Sequence, residues 1–198
     1  MTEDQTNHPP STPANTIPAE YTVSARPSDD GEAALPYRIA VLCYLFDKED
    51  RVLLLHRAKP PNFDLYSPIG GKLEVTIGES PTTCALREIE EEAAVTLQPD
   101  DLSLVGIISE RSFEGSGHWL LFCFEVTKPV EVKPGQYDEG TLEWHNPDEI
   151  TNLNIPNTDR ELIWPLFFQH RGGGFFMVHI ECTENGISWV VDESRPPA

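Results

Sequence analysis

Four glutamates fall within the five positions 88 to 92 of the segment Arg87-Glu88-Ile89-Glu90-Glu91-Glu92. On a helix of 3.6 residues per turn, Glu88, Glu91 and Glu92 share one patch through i,i+3 and i,i+4 spacing, and Glu90 points elsewhere. Ala85, Leu86, Ile89 and Ala93 form an adjoining apolar stripe. Like charges at this spacing repel by only about 0.2–0.5 kcal/mol. Spacing alone therefore leaves two readings open: a solvated acidic face, or an oxygen-rich patch that suits Mg2+ or Mn2+.

The charge of the whole chain bears on that choice. With 14 Lys and Arg against 33 Asp and Glu, the formal net charge of −19 opposes binding to nucleic acid, which needs basic side chains to neutralise phosphates. A small anionic substrate meets the same repulsion, so phosphate binding would require divalent cations between carboxylates and ligand. Lys72, Arg57 and Arg38 are candidate phosphate contacts. The four cysteines, Cys43, Cys84, Cys123 and Cys182, are scattered and contain no C-x-x-C pair, which reads as buried free thiols. His56, His118, His145 and His179 have no metal-ligand spacing. No basic segment precedes an apolar stretch at the N-terminus and no run is long enough to span a membrane, so a soluble cytoplasmic protein without membrane partners is expected.

The elements that would position these residues follow from patterning. Residues 1–34 are rich in Pro, Thr, Ser and acidic residues and poor in large apolar side chains, which predicts a disordered tail ahead of one domain over 35–198. RIAVLCYLF and RVLLLHRA, separated by DKED, read as a β-hairpin. Ser80 followed by Pro81 is a helix start, and the helix should run to about Val95. DLSLVGIISER and HWLLFCFEVT read as strands on either side of a turn at 114–117, and TLEWHN reads as a shorter strand. Thr158 or Asp159 could cap a helix reaching His170, with Pro165 in its first turns or kinking it. FFMVHIEC and ISWVV flank Asn185-Gly186, a strong hairpin signal. Hairpins mixed with two helices predict an α+β or mixed-sheet sandwich.

GGKLEVTIGESPTTCALREIEEEAAV resembles the Nudix box, in which a Gly, five residues and a Glu precede seven residues and Arg-Glu-apolar-x-Glu-Glu-x-Gly-apolar. Glu79, Arg87, Glu88, Ile89, Glu91, Glu92 and Val95 match in register. Seven residues rather than five separate Gly71 from Glu79, so Val75-Thr76-Ile77 is expected to extend the loop; Ala94 stands where the family has Gly. The box covers about 25 residues, and the order of elements resembles the family from Tyr37 onward. The resemblance implies an α/β/α sandwich with a mixed sheet, here with a C-terminal β-hairpin, and a Mg2+-dependent pyrophosphohydrolase. It implies metal ligation by Glu88, Glu91, Glu92 and the Gly70 carbonyl, with Glu88 alternatively helping to activate water. Arg87 would pair with Glu79 in support, beside Gly71.

A carboxylate outside the box completes the site in many family members, and Glu139 is preferred here over its neighbour Asp138. The C-terminal half is further similar to MutT-like enzymes acting on oxidised purine nucleotides, whose base-reading residues lie near the start of the last helix. The corresponding positions are near Ile155, Asn157 and Asp159, with Tyr66 and Phe63 as stacking surfaces. Trp119, Trp144, Trp164 and Trp189 read as packing residues. The expected substrate is a small nucleotide, a nucleoside di- or triphosphate derivative; sugar nucleotides and dinucleoside polyphosphates are the alternative. An inactive nucleotide-binding module of the same fold is a further alternative, against which the retained Arg87, Glu88, Glu91 and Glu92 argue.

Overall fold

In the computed structural model, which describes residues 37–59, 62–113, 115, 117–184 and 186–198, the first apolar run forms strand β1 (Tyr37–Tyr44) and feeds two cores at once. Ala40 and Tyr44 enter one cluster, Val41 and Cys43 the other. Strand β2 (Val52–Arg57) does the same, with Val52 and Leu54 on one side and Leu53 and Leu55 on the other. A strand covered on both faces must be apolar at successive positions, which is why these runs do not alternate with polar residues. The expected tail, residues 1–34, and Asn185 of the turn signal lie outside the described residues.

The remaining elements are β3 (Tyr66–Ser67), α1 (Pro81–Ala93), β4 (Leu102–Phe113), β5 (Gly117–Val126), β6 (Gly135–Gln136), β7 (Gly140–His145), α2 (Trp164–His170), β8 (Phe175–Thr183) and β9 (Gly186–Arg195). Two sheets result, one ordered β1-β5-β4-β8-β9 and one ordered β3-β2-β7-β6. The larger is mixed: β1 runs parallel to β5 and β4 parallel to β8, while β4–β5 and β8–β9 are antiparallel. Cys84, Ala85, Ile89 and Ala93 of α1 close one core, and Trp164, Leu166 and Phe167 of α2 close the other. This is the α+β, α/β/α arrangement expected. The C-terminal hairpin β8–β9 joins the larger sheet rather than standing apart.

Three local expectations are corrected. The runs around DKED meet only beside their connection, where Leu53 N donates to Leu45 O at 2.9 Å and Phe46 bridges Val52, and then part into separate sheets. Both are buried on both faces, so each finds its partners elsewhere. Helix α1 ends at Ala93, two residues early, because Ala94 turns left-handed at φ 55° and donates to Glu90 O. Its buried stripe contains Cys84, with Leu86 only half-buried. Ahead of α2, Asp159–Ile163 forms a π-helical turn. Pro165 has no N–H to donate and its ring crowds the preceding turn, and the wider turn accommodates both. No helix among the described residues is long and apolar enough to cross a membrane.

Candidate active site

Helix α1 begins as its sequence dictates. Ser80 caps it by accepting from Thr83 N at 3.1 Å, with Pro81 in the first turn. The preceding strand-like run is laced to β1 by Cys43 N to Ile69 O (2.7 Å), Val41 N to Gly71 O (2.9 Å) and Leu73 N to Ile39 O (3.0 Å). Two glycines allow the chain to pass this closely between strand and helix. A Cβ on Gly70 would lie 2.1 Å from the Val41 carbonyl oxygen, and one on Gly71 would lie 2.2 Å from Glu88 Oε1. The expected loop extension is a 3-10 turn at Val75–Ile77 with exposed Val75 and Ile77.

Arg87 is the hub of the α1 acids. Its guanidinium grips Glu79 through two bonds, Nε to Oε1 at 2.9 Å and Nη2 to Oε2 at 3.0 Å. It also reaches Glu88 at 2.7 Å and Glu91 at 3.2 Å. Those bonds, with one from Glu74 N at 2.8 Å, hold the Glu79 carboxyl down to about 2. Glu88 and Glu92 go the other way. Burial raises both, and it carries Glu92 to about 7 against the bond from Gly70 N at 3.1 Å, with smaller contributions from the negative charges of Glu88 and Glu139.

A cavity of about 930 Å³ opens beside this helix, and Glu88, Glu91 and Glu92 line it while Glu90 does not. Gly70, Gly71, Lys72, Arg57, Asp138 and Glu139 line it too. Glu139 is held there by Lys59 at 3.1 Å and by Arg57 at 3.7 Å. Among the described residues, no three His, Cys, Asp or Glu side chains already converge as a metal cage. Glu88 is turned to Arg87 and Glu92 to Gly70 N, and the Glu91 side chain is 59% exposed. The donor chemistry nevertheless fits a hard divalent cation, since the burial that raises Glu88 and Glu92 disfavours their charged forms, a cost that a bound cation would offset.

The expected substrate contacts divide. Asp159 and Lys72 line the cavity; Asn157, Tyr66 and Phe63 do not. Asn157 is exposed and donates to Glu161 at 2.9 Å. Tyr66 lies on β3, stacked on His56 with ring centroids 4.5 Å apart, and its hydroxyl donates to Glu143 at 3.1 Å. Phe63 is exposed. In their place the fold brings Ser67, Glu110, Phe113, Trp119, Gln136, Tyr137 and Thr158 to the cavity wall. Trp119 packs against the core that Trp164 enters, as expected, and also lines the cavity. Arg38 lies over the Trp119 ring at 5.3 Å rather than on the cavity wall. Glu110 carried a signal that patterning passed over, a charge on the same strand parity as buried Ile108.

Comparison with known proteins agrees with this architecture. The model of the NUDIX domain matches residues 36–164. The Nudix hydrolase YvcI of Bacillus subtilis is 28% identical over 127 residues, 64% of this chain and 75% of that one. The crystal structure of a MutT protein from Bacillus halodurans superposes with a TM-score of 0.62 at 28% identity, covering 78% of this chain and 97% of that one. The NUDIX domain of Shewanella oneidensis NrtR, solved with ADP ribose, shares the fold with a TM-score of 0.55 at 19% identity, covering 68% of this chain and 86% of that one.

Proposed function

This chain belongs to the NUDIX family, and from that premise we propose that it is a Mg2+-dependent pyrophosphohydrolase of nucleoside triphosphates or related diphosphate compounds, oxidised purine nucleotides among them. Hydrolysis of a phosphorus-containing anhydride is the family-level activity. The observation that carries the finer reading is the sorting of one acidic run: Glu88, Glu91 and Glu92 face the cavity, and Glu90 does not.

Glu88, Glu91 and Glu92, with the Gly70 carbonyl, would hold a divalent cation, Mg2+ or in its place Mn2+. When bound, such an ion supplies Lewis acidity to phosphate oxygens, acidifies water and offsets charge on the leaving phosphate. The protein's own part is positioning. Arg87, clamped by Glu79, keeps Glu88 and Glu91 on the cavity side of α1. Lys72 and Arg57 add positive charge to a wall otherwise dominated by carboxylates, where anionic phosphates must approach. Glu139 is close enough to Glu92 to raise it, and its carboxylate would accept the proton of the attacking water.

Phosphate and pyrophosphate release should be measured across canonical and oxidised nucleoside triphosphates, sugar nucleotides and dinucleoside polyphosphates. We expect release from at least one nucleoside triphosphate that vanishes in EDTA and returns with Mg2+. Full activity in protein verified to be free of tightly bound metal would overturn the metal-dependent reading.

A further inference from the structure

The larger sheet carries apolar side chains that join neither core. On its α1 side, Val41 and Cys43 of β1 and Phe124 and Val126 of β5 share a core with the helix. Ile39, Leu104, Ile107, Leu120, Met177 and Val190 point to the same side and lie outside both cores. Leu104 is 36% and Met177 40% exposed. Strand register sorts this face into rows. Ile39, Leu120, Ser109, His179 and Val190 lie side by side across all five strands, and Val41, Phe122, Ile107 and Met177 form the next row. Strands that run parallel, as β4 and β8 do, are ordinarily covered on both sides.

The polar groups of the face already answer one another. The Ser109 hydroxyl lies 3.4 Å from the Tyr37 hydroxyl and 3.1 Å from His179 Nδ1. Ser112 N donates to His118 Nδ1 at 3.1 Å. Glu181 pairs with Arg111 at 3.0 Å beyond one row, and Glu193 with Arg195 at 2.7 Å beside the other. Covering such a surface leaves few polar groups unmatched. Its charge is balanced as well, in a chain whose net charge of −19 opposes contact between like copies almost anywhere else.

We propose that this face is the contact between two copies of the chain, packed sheet on sheet about a twofold axis running along the strands between β4 and β8. Such an axis lays β4 of one copy over β8 of the other without reversing either strand. Each row then meets its own row. Ile107 comes over Met177 of the second copy, Ser109 over His179, and Arg111 over Glu181, so the one arginine and one glutamate of that border serve both copies. An unlike partner would have to reproduce this order of apolar and charged rows; a second copy supplies it by symmetry.

The test is sedimentation velocity of the full chain at concentrations up to about 100 μM, where we expect a dimer. Met177→Glu puts a charge against Ile107 of the other copy and should weaken dimerisation by about tenfold or more. Val191→Glu, on the same hairpin but pointing with buried Val178 to the opposite side, should leave it unchanged. Arg111→Glu and Glu181→Arg should each weaken self-association by setting like charges across the axis, and an equimolar mixture of the two should recover it as a heterodimer. Melting curves in dilute protein report whether each variant is folded, and if Met177→Glu is not, the charge pair decides. A chain that stays monomeric, a dimer indifferent to Met177→Glu, or a mixture no tighter than its components overturns the proposal.

Discussion

Glu79 and Asp159 are both shielded carboxyl groups, yet their surroundings drive them apart, to about 2 and about 7. Glu79 sits in the loop before α1, where Arg87 makes two bonds to it and a backbone N–H makes a third. Asp159 sits where α2 begins, against another acid, with a hydroxyl as its partner. Burial raises a carboxyl, and enough oriented donors reverse the sign. The same contrast distinguishes the side of the cavity at α1, which Arg87 braces, from the side at Asp159.

The largest effect expected on the braced wall is catalytic. Glu91→Gln and Glu92→Gln should each lower turnover on the order of 10³-fold, while Glu90→Gln, off the cavity, should change it less than about twofold. Removing a charge from the acidic patch relieves repulsion, so melting temperatures in EDTA should hold or rise slightly. Steady-state rates across a metal titration check the first part, and equal losses at all three positions would dissolve the distinction between the cavity face and the rest of α1.

Next in size is the brace itself. Arg87→Ala should cost about 3 kcal/mol in urea unfolding, because it strands the shielded Glu79 carboxylate, and Arg87→Lys should recover part of that without the two-bond geometry. Since Glu79 is depressed in the folded state, its contribution is fully present above the ordinary value of 4.5 and is lost as pH falls toward about 2. The stability difference between wild type and Glu79→Gln should therefore close over that interval. A difference that persists unchanged at pH 2 would mean that the pair contributes through packing rather than charge.

Asp159→Asn should move stability the opposite way. A carboxyl raised in the folded state contributes stability fully present below 3.8 and lost as pH rises through about 7. The variant should be less sensitive over that range and about 2 kcal/mol more stable at pH 8. A less stable variant there would show Asp159 to be satisfied as an anion. The smallest effect lies at the end of α1, where Ala94→Gly should gain about 1 kcal/mol, since Ala94 occupies a left-handed conformation that glycine adopts without steric cost. Thermal melting decides it, and no gain would mean that the left-handed turn carries little strain.

What could be read from the chain alone was whatever local spacing encodes. The Glu88, Glu91 and Glu92 patch, the Ser80 cap, the Arg87–Glu79 match and the mixed α+β composition all depend on residues within a turn or a box of one another. The separation of β1 and β2 into different sheets was not legible, because an apolar run buried on both faces carries no periodicity to name its partner. Of the far wall of the cavity only Asp159 was named, through the resemblance; Ser67, Glu110 and Trp119 come from strands of two different sheets, and only the assembled fold brings them to one surface. Helical geometry places side chains through bonds a few residues long; the far wall of the cavity depends on which strands exclude water together, a property that no short segment possesses.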